Sequence, residues 1–447
     1  MSARQQYIDL FLQERQLIDR HSAPLMNALR EKAYVDFQRQ GFPTRKVEEY
    51  RYTDMEEVFA PDYGVNLQRV QFPVNPHDIF KCSVPNLSTS LYFMVNDLFH
   101  NSVMPKTQLP EGVVVGSLCQ QALEHPELLQ PYYGRLAKTE ADSVTALNTM
   151  LAQDGLFIYI PKNVVVDKTI QVVNILRSDV DLMANRRVLI VLEQGAQAKV
   201  LFCDHAMDER SFLATQVCEV FVGENAHLEL YDLEATHLQS RRVTNTYVRQ
   251  QSYSTLNMCT ITMHNGLTRN TLEVDLAGQY AETHVNGCVV ADKQQHVDNN
   301  TLIRHSVPNC QSNELYKYVL DDSSVGAFAG KVLVVADAQK TVSNEVNANL
   351  CASSDARMYT QPMLEIYADD VKCSHGSTVG QLNEQALFYM RQRGISEAEA
   401  RLLLKFAFVG EVIDSIKLET LRDRLHYLME KRFRGELSHC EGCKVHN

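Results

Sequence analysis

Val188-Leu189-Ile190-Val191-Leu192, then a polar turn, then Gly195-Ala196-Gln197-Ala198-Lys199-Val200: the reading of this stretch decides the fold. Short runs rich in Val, Ile and Leu, set apart by turn-forming residues, read as successive strands. Thirty residues on, Asn225-Ala226-His227-Leu228-Glu229-Leu230 echoes the second run. The neighbouring runs Phe157-Ile158-Tyr159-Ile160, Thr169-Ile170-Gln171-Val172-Val173 and Val217-Cys218-Glu219-Val220-Phe221-Val222 share the texture, separated by Gly, Asn and Asp. No helical period of useful length interrupts residues 155–380. So long an all-β region is large for a sandwich and natural for a solenoid, whose stacked coils bury a continuous core. The echo is weak and no strict repeat follows, so an irregular β-helix is expected rather than a regular hexapeptide solenoid.

Helical patterning flanks this core. Ser2 can cap a helix whose apolar residues, among them Ile8, Phe11, Ile18, Met26 and Ala33, recur at three- and four-residue steps. Pro24 splits or kinks it, and Gly41 with Pro43 ends it. Residues 61–140 mix short strands with a helix near 117–131. After Gly380 the helical period returns. Asn383 caps one helix with Gly394 as its stop, Ser396 and Glu399 form a capping box for the next, and Leu418, Leu421, Leu425, Leu428 and Phe433 stripe a third. Residues 402–409, Leu-Leu-Leu-Lys-Phe-Ala-Phe-Val, are apolar on nearly every side. A surface helix shows one apolar stripe, so this one is expected to be buried on more than one face, in its own domain or under a partner. The chain divides into residues 1–150 (helical and mixed), 151–380 (β-helix), 381–436 (helical) and a Cys/His-containing tail, 437–447.

The composition narrows the function. The chain has 447 residues, a net charge of −12, 45% hydrophobic and 22% charged residues, and no Trp. These are globular values, and the negative balance opposes binding to nucleic acid. No apolar run is long enough for a membrane span, and the polar first segment is not a secretory signal. The 11 scattered cysteines therefore read as thiols of a cytoplasmic protein rather than a disulfide framework.

Catalytic signatures are missing. Gly326-Ala327-Phe328-Ala329-Gly330-Lys331-Val332 only mimics a phosphate-binding loop, being one residue short and carrying Val at the hydroxyl position. The sharpest local feature is Asp369-Asp370-Val371-Lys372-Cys373-Ser374-His375-Gly376. On a strand, Cys373 and His375 share a face, and their soft S and N donors suit Fe or Zn. As a bland alternative, Cys373 is a small core hydrophobe and His375 a structural residue. In the tail, Cys440 and Cys443 form a C-x-x-C pair with metal-binding spacing, against the alternative of a solvated end. His227, His264, His284, His296 and His305 read as structural histidines. Asp321-Asp322 and Asp369-Asp370 read as turn residues rather than the paired carboxylates of a polysaccharide-active β-helix enzyme, a remote alternative.

The run from Leu364 through Lys372-Cys373-Ser374-His375-Gly376-Ser377-Thr378-Val379-Gly380, continuing to Gly394, is similar to the SufB/SufD family of iron–sulfur cluster assembly scaffolds. Gly326 to Lys331 with Ala338-Gln339-Lys340 resembles it too, and Pro43-Thr44-Arg45 through Glu49-Tyr50-Arg51-Tyr52-Thr53 resembles its SufD branch. The Glu-His-Glu-Ala-Thr motif of SufB is replaced here by Cys373 to Thr378, and Cys351 does not fall cleanly on the SufB cysteine position. The resemblance implies a right-handed parallel β-helix flanked by an N-terminal helical region and a C-terminal all-helical domain. It implies a non-ATPase scaffold pairing with a SufB-like paralogue and a SufC-like ABC ATPase, with no stably bound cofactor. An iron–sulfur cluster or iron would be held transiently, shared with SufB near His375 and, more weakly, Cys373. The helical domain would dock the ATPase, with Phe406, Phe408 and Glu411 as contact candidates chosen by context. A purely architectural partner without cluster ligands is the alternative. An isolated sample is expected to form a homodimer through its uncovered strand edge.

Overall fold

A computed structural model describes residues 2–72, 89–100 and 109–436. Its centre is a parallel β-solenoid of two facing sheets, each coil giving one strand to each sheet. One sheet runs through Gly155–Ile160, Leu182–Leu192, Phe212–Val222, Ser240–Gln250, Leu267–Leu276, His296–His305, Val325–Val334 and Arg357–Ile366. The second runs through Thr89–Val95, Thr169–Leu176, Gln197–Ala206, His227–Ala235, Thr255–His264, Glu282–Ala291, Gln311–Leu320, Val342–Cys351 and Lys372–Gly380. The second sheet thus draws its first strand from within residues 1–150.

The echo noticed in the sequence is the coil itself. Gln197 to Val200 stack in register on His227 to Leu230, and the same rung continues through Thr255, Glu282, Gln311, Val342 and Lys372. Alternation then decides what faces inward. Val200, Leu230, Met258 and Val285 occupy one interior column and belong to the main core. One corner of each coil but the last turns through a left-handed residue: Asn163, Gly195, Asn225, Tyr253, Tyr280, Asn309 and Lys340, all with φ between 55° and 70°. Only one of the seven is glycine, which is why no repeat of turn residues is visible in the sequence.

The N-terminal end is closed by the chain. Pro24 does split the first helix, giving Ala3–Arg20, Pro24–Asn27 and Arg30–Gln40, the last stopped at Gly41 with φ 64°. The helix near 117–131 is a pair, Leu118–Glu124 and Pro126–Leu129. A further helix, Ser143–Leu151, is buried along its whole length. Sequence patterning missed it because, with no solvated face, it has no stripe to read. Arg30, fully buried, ties these pieces together by donating to the carbonyls of Thr149, Met150 and Ala152 at 2.7–3.2 Å.

At the other end three helices, Glu384–Gln392, Glu397–Asp414 and Glu419–Phe433, fold back onto the outer face of the second sheet. Asn383 and Ser396 cap the first two as their sequences predict, accepting from the Ala386 and Glu399 amides. The broadly apolar 402–409 segment is buried within the chain only in part, Leu403 and Ala407 being exposed. Leu402 and Val409 are buried, and Val409 sits in one cluster with residues of the solenoid's outer face such as Cys288 and Val319. No helix among the described residues is long and apolar enough to cross a membrane.

Candidate functional site at the open end of the solenoid

The last coil breaks the burial pattern. Thr169–Leu176 and Leu182–Leu192 are buried at every position. Lys372–Gly380 has Cys373 as its one half-buried residue and all others exposed. No described strand pairs with its free edge or with that of Arg357–Ile366. Unpaired backbone amides and carbonyls on a parallel edge are a template for another strand.

His375 lies on this edge, exposed, on the column that continues inward through Glu345 and Glu314. Cys373 stands beside it on the same face, next to Ser343 in register, and packs with Val332, Val334, Ala338 and Ala368. Burial pushes its thiol pKa up, as it does for Cys351. A thiol held protonated is a poor ligand until something lowers its pKa. The structure places both residues together at the mouth, with His375 exposed and Cys373 half-buried against that cluster. Among the described residues no three His, Cys, Asp or Glu side chains converge to hold a metal ion.

Around the mouth, the interior of the last two coils is polar. Asn347, Asn349, Thr360 and Ser377 hydrogen-bond to one another at 2.6–2.7 Å. On the outside, the charged and aromatic segment near residue 50 forms a strap along the first sheet. The Thr53 hydroxyl donates to Asp298 (2.6 Å), Arg269 lies over the Tyr50 ring, and Tyr52 stacks on Tyr359 of the last coil at 4.6 Å. Between strap and sheet lies a cavity of about 720 Å³ whose wall carries Arg269, Lys331 and Glu365.

The other candidates fall as follows. Gly326 to Val332 lies inside the strand Val325–Val334, with its amides in the ladder, so it forms no phosphate loop. His264 and His305 are buried, pushed down to about 4, and bonded to Gln295 and Ser312. His296 meets the Thr53 hydroxyl and His284 pairs with Glu282. Asp321-Asp322 and Asp369-Asp370 sit between strands, where Lys405 takes Asp321 and Lys340 takes Asp370. Cys440 and Cys443 lie outside the described residues. In the helical domain, the Phe406 ring packs tilted against the His426 ring, 5.4 Å between centroids. Lys317, from the second sheet, lies over the Phe408 ring, donates to the Phe408 carbonyl (3.0 Å) and pairs with Glu411. These three residues are engaged with the chain itself, and Glu411 keeps an exposed side.

Sequence reasoning missed two groups of buried charge. Arg242 pairs with Asp204 (2.9 Å) and with Asp232 inside the middle coils, and burial pushes neighbouring Glu234 up to about 7. Glu314 and Glu345 lie near the mouth. Their separation in sequence is one coil, so the signal exists, but it needs the register to be seen.

Comparison with known proteins gives the family. The model for the N-terminal region of SufBD proteins matches residues 1–172, and the model for the SUF-system FeS cluster assembly SufBD core domain matches residues 175–408. An iron–sulfur cluster assembly SufBD family protein of Synechocystis is 29% identical over 407 residues, covering 87% of each chain. The iron–sulfur cluster assembly protein SufD of Escherichia coli is 27% identical, covering 89% of this chain and 90% of its own. SufD of Bacillus subtilis is 26% identical, covering 72% and 74%.

Proposed function

Because the chain belongs to the SufBD family of SUF-system iron–sulfur cluster assembly proteins, we propose that it is a non-ATPase scaffold subunit of the SufD kind. Its free edge pairs with a SufB-like paralogue by strand addition, and its helical domain engages a SufC-like ABC ATPase. The observation that carries this reading is the open last coil, where an exposed edge strand displays His375. Main-chain hydrogen bonds supply affinity in such a joint, and the side chains along it supply specificity.

At that joint the imidazole of His375 contributes one nitrogen donor to a cluster that is cargo, passed on rather than kept. The remaining ligands come from the paralogue, since burial raises the Cys373 thiol pKa and disfavours its thiolate in the free chain. The helical domain gives a route for the nucleotide cycle. Lys317 and Asp321, which grip Glu411 and Lys405, belong to or directly follow the strand two rungs from the mouth. A nucleotide-bound ATPase that prefers an opened joint shifts the equilibrium by its differential affinity for that form.

The test has two steps. Affinity capture from the native cell extract should recover the ATPase and a second β-solenoid paralogue. His375→Ala should then leave that complex intact and abolish maturation of iron–sulfur enzymes in vivo; normal maturation would remove His375 from the ligand set. The packing of Cys373 favours a second reading, an architectural partner without ligands. It expects His375→Ala to be silent while removal of the chain after Gly380 is not.

A further inference from the structure

One coil below the mouth, the interior column changes from apolar to acidic. The rung that holds Leu230, Met258 and Val285 in earlier coils holds Glu314 and then Glu345. Parallel neighbours in register lie about 4.8 Å apart, so the two carboxylates are stacked side by side. Glu314 is 1% exposed and Glu345 0%. None of their four oxygens has a hydrogen-bond partner at bonding distance among the described residues. Among the described residues no cationic side chain acts on either carboxylate. Desolvation is the main influence on both, and Glu345 feels Glu314 as a like charge.

The surroundings are shaped for this pair. Across the interior, Thr301 and Gly330 are register neighbours on the first sheet. The Thr301 hydroxyl is 2% exposed, itself unpaired, and favours the charged form of Glu314. At Gly330 a Cβ would stand 2.4 Å from Glu345 Oε1, so glycine leaves the space that the carboxylate fills. Burying two unpaired carboxylates next to each other is among the costliest arrangements in a protein interior unless something neutralises them. The other buried acids among the described residues have such a partner, as Glu219 has Arg187 and Asp298 has Arg269.

We propose that Glu314 and Glu345, with the Thr301 hydroxyl beside them, form a binding site for one divalent cation inside the solenoid. Two carboxylates and a hydroxyl are an oxygen donor set, which suits hard to borderline ions such as Mn(II), Mg(II) and Fe(II). The cation's two charges cancel those of the pair, and its remaining positions are filled by water. The single coil that carries His375 and Ser377 separates the site from solvent at the mouth. The site is distinct from the exposed imidazole and needs no partner chain, so it does not depend on the function proposed above.

The full-length chain, stripped with chelator, is titrated with Mn(II) and the free ion followed by electron paramagnetic resonance at pH 7.5. One tight equivalent per chain is expected in the unaltered protein and in His375→Ala. The Glu314→Gln/Glu345→Gln double variant, close in size and uncharged, should lose that equivalent. No tight equivalent in the unaltered chain, or one that survives the double variant, overturns the site; its loss in His375→Ala would move it to the surface and overturns it equally. Thermal melts guard against a variant that fails to fold. In the unaltered chain Mn(II) should raise the melting temperature over the chelated sample by several degrees, and the absence of any shift counts against the site.

Discussion

Buried charge is handled differently at the two ends of this solenoid. Toward the N-terminal helices it is paired: Arg187 with Glu219 at 2.7 Å, Arg186 with Asp204 at 3.0 Å. Glu219 also accepts from the amides of Gly134, Leu136 and Ala137, pinning an N-terminal loop to the sheet. Toward the mouth Glu314 and Glu345 have no counter-charge among the described residues. A partnered buried ion serves the fold, because its removal strands the other member. An unpartnered one works against the fold, because its removal relieves a desolvation cost. The same residue type, equally buried, should therefore change stability in opposite directions at the two ends.

The largest effect is expected at Glu219. Glu219→Ala strands Arg187 and three amides and should cost about 3–5 kcal/mol, read as a lower midpoint in urea. A cost below about 1 kcal/mol would break the contrast at its closed end. The opposite sign is expected for Glu345→Gln in chelated protein. Burial and Glu314 push Glu345 up to about 9, and burial pushes Glu314 up to about 7, from the ordinary 4.5. The folded chain keeps protons that the unfolded chain has released, so stability present below pH 4.5 is lost as pH rises through those values. Gln cannot ionise. The variant should be more stable than its parent by at least about 1 kcal/mol at pH 8, with the gain vanishing toward pH 4. The smallest effect belongs to the exposed edge. Val379→Ala should change the stability of the free chain by less than about 0.5 kcal/mol. At the closed end, Ile190→Ala, fully buried, should cost about 2–5 kcal/mol. Equal costs would mean that the last coil is covered in solution, as in a homodimer.

The parts of this architecture legible in the sequence are those where one residue type carries one local rule. Branched alternating runs gave the strands, Asn383 and Ser396 the helix starts, and Gly41 a helix end. The coil length was visible at Gly195 and Asn225 because both corners retained a turn residue. It faded where Tyr253, Tyr280 and Lys340 take the same left-handed corner. Cys373 and His375 stood out because the motif is local, yet their difference in exposure depends on which coil is last. Glu314 and Glu345 were invisible for a related reason. Each alone looks like an outward residue of a strand, and only the rung shared with Val285 turns it inward. Phe406, Phe408 and Glu411 looked available to a partner because nothing in their own segment announces Lys317, about 90 residues earlier.

The left-handed corners bear on how such chains diverge. An L-residue other than glycine pays roughly 1 kcal/mol to turn there, an amount that stacking and corner hydrogen bonds readily cover. What each coil inherits is thus a backbone angle, and Asn, Tyr and Lys all supply it. Spacing between successive corners drifts by a residue or two without disturbing the ladder beyond. Descent with that latitude erases the period from the letters while preserving it in space. Relatives of 26–29% identity can then align across most of their length, although the coils within one chain no longer recognise each other.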